Sequence, residues 1–186
     1  MIATRPLALV VLPGSLLWKL MLVLAGSALI ALAAQVRIPL PFSPVPVTGQ
    51  TFAVLLVAAA LGRLGLWSVI AYLIEGAAGL PVFAGGTFGV AMIVGPTGGY
   101  LIGFALAAAI VGSAAERGWD RHLATALAAM LLGEVAIYAC GLAWLARFPL
   151  PVPLLDAGLV PFIPGDLVKM VLAALALPGA WKLVRS

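Results

Sequence analysis

The chain has 186 residues, of which 65% are hydrophobic and only 9% are charged, and its formal net charge is +4. Soluble domains carry about 25% charged residues, so this composition excludes an ordinary soluble enzyme and indicates an integral membrane protein. A membrane-spanning helix needs roughly 20 apolar residues, which leaves room for about six spans and for no separate soluble domain. We therefore expect a single membrane domain over residues 1–186.

A proline-rich segment separates the first two predicted helices. The apolar run at 15–36 is longer than the roughly 7–15-residue core of a cleaved signal peptide, so we interpret it as a retained spanning helix. Residues 38–47 contain four prolines. Because proline has no N–H to donate and disfavours helix in the preceding residue, this segment is predicted to be an apolar loop. A second helix is predicted at 49–61.

The remaining predicted helices are separated by glycine, polar and proline-rich segments. A third helix at 66–80 leads into a glycine-rich loop, and a fourth helix follows at 96–115. A short polar run precedes a fifth helix at 123–145, and a second proline-rich loop precedes a sixth at 164–184. The predicted fold class is an all-α bundle of six transmembrane helices.

The basic residues predict the orientation of this bundle in the membrane. With six spans, seven basic residues fall on or near one side: Arg5, Lys19, Arg63, Arg117, Arg121, Lys182 and Arg185. The other side carries only Arg37 and Arg147. Since loops rich in Lys and Arg stay in the cytoplasm, we expect both termini to be cytoplasmic and the proline-rich loops to lie outside.

Asp166 and Lys169 place an acid and a base at the start of the last apolar run. Residues three apart lie on one face of a helix. A charge at membrane depth costs roughly 2.5–3.5 kcal/mol on insertion scales, so it needs a partner or a ligand. One interpretation is structural, with Asp166 as a first-turn acid and Lys169 paired with Asp166 or with Glu75. The other is a polar cluster in an outward-facing pocket.

Two further acids lie within predicted helices. Glu75 is expected about five residues from the outer end of the third helix, at a depth similar to that of Lys169. Glu134 is expected near the middle of the fifth helix, with Tyr138 one turn above it on the same face. Either acid could be functional, or it could be packed in its protonated form or hydrogen-bonded to Tyr72 or Tyr138.

Signatures of other functional classes are missing from the sequence. The chain has one His and one Cys, which predicts no metal site. The basic residues do not cluster, so no nucleic-acid partner is expected. The glycines lack the lysine of a phosphate loop, and no cofactor is predicted. His122 lies in the polar run, which leaves a membrane protease without its base at membrane depth.

Four stretches in order along the chain resemble motifs of the BioY family, the substrate-capture (S) components of energy-coupling-factor biotin transporters. They are PVPVTGQTF at 44–52, GLPVFAGG at 79–86, GPTGGYLIGF at 95–104 and PFIPGDLVK at 161–169. Since they extend from the first loop to the last helix, the resemblance covers nearly the whole chain.

The resemblance implies a vitamin site near the outer leaflet. The expected substrate-binding residues are Asp166, Lys169, Tyr100, Gly85, Gly86 and Glu75. Asp166 is expected to accept from the ureido ring of biotin, and Lys169 to hold its carboxylate. Tyr100 and the two glycines are expected to be pocket walls. Glu75 is expected to be the resting partner of Lys169 or a competitor of the ligand anion.

The resemblance also implies partners: a transmembrane coupling subunit and two ATPase subunits, in a cell membrane. The nearest match to the small-residue motif that faces the coupling subunit is Ser27 with Ala31, a spacing that lets helices approach closely. The chain itself is expected to have no ATPase site and not to be an enzyme. The alternatives are an S component for another vitamin, an intramembrane enzyme that uses Glu75 or Glu134, and a purely structural bundle.

Overall fold

A computed structural model describes residues 6–11 and 15–185. The helices are α1 Leu7–Val11, α2 Leu16–Gln35, α3 Gln50–Leu61, α4 Arg63–Ala77, α5 Val90–Val94, α6 Gly98–Glu116, α7 Leu123–Leu145, α8 Leu154–Gly158 and α9 Ile163–Arg185. A 3-10 helix covers Trp119–Arg121, and two strands, β1 Arg37–Leu40 and β2 Ser43–Thr48, pair antiparallel. Arg5, one of the basic residues used for orientation, lies outside the described residues.

Several helices have the length and composition of membrane spans. Within the described ranges, four segments are long and apolar enough to cross a membrane: α2, α6, α7 and Leu154–Lys182, which contains α8 and most of α9. Helices α3 and α4 have 12 and 15 residues, fewer than the roughly 20 of a typical span. A mostly helical fold with several candidate spans is confirmed, and six spans stay a prediction.

Helix α6 is the centre of the bundle, and α2 lies at its edge. Of the apolar window in α6, 67% is buried, against 17% in α2. Helix α6 packs against α3, α4 and α7. Its close packing against α7 depends on glycine, because a Cβ at Gly103 would lie 2.8 Å from the Cα of Ile137. The exposed side of α2 is apolar, as expected for a surface in contact with lipid.

One face of α9 is directed into the bundle. Its buried residues recur about once per turn, beginning with Phe162 just before the helix, and they are Phe162, Asp166, Met170, Ala173, Ala174, Leu177 and Trp181. The opposite face exposes apolar side chains such as Leu167, Val171 and Leu175. This periodicity directs Asp166 away from lipid.

The first proline-rich segment is a β-hairpin, and the prediction of an irregular loop was wrong. Arg37 lies opposite Thr48, and the register shifts between Ile38 and Leu40, around Pro39. A two-stranded ribbon pairs only part of its N–H groups, which leaves positions where proline is tolerated. The Oγ of Ser43 donates to the carbonyl of Ala157 over 2.6 Å, so the hairpin contacts the second proline-rich segment.

Helix α4 begins and ends three residues before its predicted bounds. The amide of Gly79 donates to the carbonyl of Gly76 over 3.2 Å, and that of Leu80 donates to the carbonyl of Glu75 over 3.0 Å. With φ of +104° at Gly79, this is the Schellman arrangement that ends a helix at glycine. Glu75 therefore lies in the last turn of α4, and its predicted depth of about five residues was wrong. The glycine-rich loop after α4 also contains α5, which the sequence did not predict.

Candidate functional site

A cavity of about 210 Å³ lies under the hairpin, where α3, α6 and α9 begin and α7 nears its end. Its polar lining residues are Arg37, Ser43, Thr48, Gln50, Thr51, Thr87, Thr97, Tyr100, Tyr138, Asp166 and Lys169. Apolar side chains that include Phe83, Met92, Leu101, Phe104, Ile137 and Phe162 make up much of the rest. An apolar cavity with a few convergent polar groups is the usual form of a small-molecule site.

Asp166 lies in the first turn of α9, where the positive end of the helix dipole favours an acid. Its carboxylate accepts three hydrogen bonds from side chains. Oδ1 accepts from the Oγ1 of Thr51 at 2.9 Å and from the Nζ of Lys169 at 2.8 Å. Oδ2 accepts from the hydroxyl of Tyr138. The Asp166 side chain is only 8% exposed, and it is bonded to groups from α3, α7 and α9.

Lys169 lies less than one turn after Asp166, and its ammonium is also fully hydrogen-bonded. Besides Asp166, its Nζ donates to the carbonyl of Thr48 over 2.6 Å and to the Oγ1 of Thr51 over 3.3 Å. An ammonium has three protons, so no donor is left over. The side chain is 19% exposed, and it lines the cavity. Of the two partners considered for Lys169, Asp166 and Glu75, the structure shows an ion pair with Asp166.

The arrangement of these two residues determines what the cavity can bind. Buried ion pairs are stabilised only when their remaining polar atoms are hydrogen-bonded, which is the case here. The net charge of the pair is zero, and the rest of the wall is largely apolar. A largely apolar ligand that carries polar groups therefore fits, provided that its polar groups exchange with bonds that Asp166 and Lys169 already make.

Tyr100 lines the cavity, whereas Gly85 and Gly86 lie just behind it. Tyr100 is almost fully buried and donates its hydroxyl to the carbonyl of Gly158 over 2.7 Å. The two glycines have φ of +70° and +73° and belong to the loop whose neighbouring residues, Phe83, Ala84 and Thr87, line the cavity. They shape that wall and are not part of its lining.

Glu75 and Ser27 bond to each other, a contact that the sequence did not predict. The Oγ of Ser27 donates to the Oε2 of Glu75 over 2.5 Å. Glu75 is not among the cavity-lining residues, and the salt-bridge partner of Lys169 is Asp166. Ser27 is 0% exposed and Ala31 is half-buried, and their contact with a coupling subunit stays a prediction. Ser27 of α2 and Glu75 of α4 lie where these two helices pack against each other, a contact that local sequence does not reveal.

Four polar residues that contact the Asp166–Lys169 pair, or support those contacts, were not predicted from single motifs. Thr51 and Tyr138 bond directly to Asp166, and the carbonyl of Thr48 accepts from Lys169. Gln50 is buried, accepts from Thr48 and donates to the hydroxyl of Tyr72 over 2.7 Å. The available signal was a cluster of polar residues, TGQT at 48–51, at the entrance of an apolar helix.

Sequence comparisons relate the chain to proteins of known family. The BioY family model matches residues 8–186. "Biotin transporter BioY" of Thermotoga maritima is 43% identical over 151 residues, which is 80% of this chain and 87% of that protein. "Probable biotin transporter BioY" of Pyrococcus horikoshii is 42% identical over 149 residues, which is 80% of this chain and 86% of that protein.

A solved structure has the same architecture. The crystal structure of the S-component for biotin from an ECF-type ABC transporter aligns with a TM-score of 0.76 at 28% identity. The alignment covers 89% of this chain and 92% of that one. Together with its apolar helices, these similarities describe a multi-pass membrane protein. The chain belongs to the BioY family.

Proposed function

We propose that this chain is the biotin-binding membrane subunit of a biotin uptake transporter and that it binds biotin in the cavity under the hairpin. The observation that carries the proposal is the similarity, over 89% of the chain, to an S-component for biotin. The charge-balanced pair on the cavity wall supports it independently, because biotin has two ureido N–H donors and a carboxylate. Family members are transporter subunits, which argues against the intramembrane enzyme.

Each residue of the pair has a distinct proposed role. Asp166 accepts from the ureido N–H groups at its remaining acceptor site and in exchange for one of its three present donors. Lys169 binds the ligand carboxylate and gives up its bond to Asp166 or to the Thr48 carbonyl. Tyr100 contacts the ligand through its ring. Gly85 and Gly86 hold the wall that Phe83 and Ala84 complete.

The chain is proposed to work in the cell membrane with a transmembrane coupling subunit and two ATPase subunits, which supply the energy for release into the cytoplasm. We propose six spans with both termini cytoplasmic, so that the cavity opens outward. Exposed apolar residues along α2, such as Leu24 and Leu32, support a lipid or protein contact on that face. Ala31, which is half-buried, is the stronger candidate for the coupling-subunit contact, and the buried Ser27 is the weaker one.

Titration of the full chain in detergent by isothermal calorimetry tests the proposal. We expect saturable binding of one biotin per chain. Lipoic acid is the matched control ligand, because it has the same carboxylate tail and no ureido ring, and it should bind far more weakly. Binding of a different vitamin without binding of biotin would favour the S component for that vitamin. Absence of any vitamin binding would refute the proposed function.

A further inference from the structure

Glu134, near the middle of α7, is an acid that the proposed binding of biotin does not use. It is 6% exposed. Neither carboxylate oxygen has a hydrogen-bond partner among residues 6–11 and 15–185. An ionised carboxylate has room for about four hydrogen bonds, and burying it with none is very unfavourable. Ionisable residues at such positions in membrane proteins are rare, and they usually serve a function.

The neighbours of Glu134 connect it to the site. Tyr138 lies one turn further along α7 and donates to Asp166. From α9, the charges of both Asp166 and Lys169 act on the Glu134 carboxyl. Helix α3 presents no titratable residue to α7, and the nearest on α6 is Tyr100, whose ring packs against that of Tyr138 at 6.4 Å.

The other acids on the neighbouring elements are bonded to other groups or exposed. Glu116 pairs with Arg63 at 3.0 Å, and Asp120 accepts from the indole of Trp181 over 2.5 Å. Asp156 of α8 is exposed. The electrostatic surroundings of Glu134 therefore consist of one ion pair, Asp166 with Lys169, whose charges cancel.

A count of charges indicates what Glu134 does when an anion binds. With Glu134 neutral, the pair and a ligand carboxylate together carry one negative charge. With Glu134 ionised they carry two, in a region of low dielectric where like charges repel strongly. We propose that Glu134 holds a proton in the ligand-bound state, so that an anionic ligand, on binding, restores this proton in whatever fraction of the empty protein has lost it. This inference depends on the proposed function, since biotin supplies the anion.

Calorimetric titration with biotin from pH 6 to pH 9 tests this proposal with wild type, Glu134→Gln and Glu116→Gln. In wild type, the Kd should rise roughly tenfold or more across this range, as expected for repulsion between two charges at low dielectric. In Glu134→Gln the Kd at pH 9 should exceed the Kd at pH 6 by less than about threefold. Glu116→Gln is the matched control, an acid remote from the cavity, and should keep the wild-type ratio.

Two readouts separate this inference from its alternatives. Biotinamide is neutral, so its Kd in wild type should change much less with pH than that of biotin. Wild-type titrations in buffers of different ionisation enthalpy should show uptake of a fraction of a proton per biotin bound, and this result holds even if Glu134→Gln fails to fold. Equal pH profiles of wild type and Glu134→Gln, or no proton uptake from pH 6 to pH 9, would overturn the role of Glu134 alone. No biotin binding at any pH would instead refute the proposed function, and the inference with it.

Discussion

Replacing Lys169 by methionine separates the two tasks that the ammonium performs. Methionine keeps an unbranched side chain of similar length and removes the charge. In the empty site this change deletes the bonds to Asp166, Thr51 and the Thr48 carbonyl. In the occupied site it deletes the proposed bond to the ligand carboxylate. The two losses are measurable separately, as stability and as affinity.

The expected loss of affinity follows from the kind of bond that is lost. A hydrogen bond to a charged group contributes about 1.5–3 kcal/mol, which corresponds to roughly a 10- to 100-fold increase in the Kd for biotin. The loss of stability is a separate quantity: removing one partner of a buried ion pair lowers the free energy of unfolding by about 3–5 kcal/mol. That value is an upper bound here, because Lys169 is 19% exposed and because Asp166 keeps its bonds to Thr51 and Tyr138.

The assay compares biotin with biotinamide, whose tail carries no charge. Calorimetric titration at pH 7 of wild type and Lys169→Met gives four Kd values. We expect the substitution to raise the Kd for biotin by roughly 10- to 100-fold and the Kd for biotinamide by less than about fivefold. Lys182→Met, which changes an exposed lysine at the other end of α9, should leave both values unchanged.

Two outcomes would contradict this reasoning. Equal losses for biotin and biotinamide would mean that Lys169 supports the shape of the cavity and does not bind the carboxylate. No loss for either ligand would remove Lys169 from the site. The double variant Asp166→Asn with Lys169→Met should unfold at a higher temperature than Lys169→Met, because it no longer buries an uncompensated charge.

Three further substitutions probe the loop, the pair and the far end of the bundle. Gly85→Ala should destabilise the protein by about 1–2 kcal/mol in thermal melts and weaken biotin binding, because φ is +70° and the new methyl group would lie 2.4 Å from Arg37. Tyr138→Phe should cost about 1.5–3 kcal/mol of stability through the lost bond to Asp166. Burial raises the pKa of Asp120 above its ordinary value of 3.8. The folded protein then holds this proton to higher pH than the unfolded chain, so the free energy of unfolding falls as the pH rises through that window, and Asp120→Asn should reduce the fall.

Two of these substitutions, Gly85→Ala and Asp120→Asn, have a control in the same chain. Gly179→Ala meets open space within a helix and should be neutral or stabilise by up to about 1 kcal/mol. If it were as damaging as Gly85→Ala, backbone strain would not be the cause of the Gly85 effect. Asp156→Asn changes an exposed acid and should leave the pH dependence of stability as in wild type. If the free energy of unfolding of Asp120→Asn fell with pH as it does in wild type, the fall would be due to groups other than Asp120.

Local sequence signals predicted the helices well and their ends less well. Apolar runs of about 20 residues leave few alternatives to helix in lipid, which is why the bounds of α2 and α7 agree within a residue with the predictions. The end of α4 was missed because Gly79 ends the helix through a Schellman motif, and the prediction placed the end at the following proline. The hairpin was missed because proline content argues against a strand unless its unpaired positions are known.

The candidate site was predicted only where its residues are close in sequence. The spacing of Asp166 and Lys169 was sufficient to place them together on one face of α9. Thr51 and Tyr138 reach Asp166 from other helices, 115 and 28 residues away, and no periodicity encodes such contacts. Glu75 was considered as one possible partner of Lys169 because the two were predicted at a similar depth, whereas the structure pairs Glu75 with Ser27, where α2 packs against α4.

The saturated hydrogen bonds of Lys169 have a kinetic consequence. All three protons of the ammonium have acceptors before a ligand arrives, so binding is an exchange of partners and not the addition of new ones. An exchange needs a transient state in which one bond is broken, which slows association below the rate of free encounter. The same barrier acts in reverse on a bound ligand. A long residence time can therefore accompany a modest net gain in hydrogen bonding.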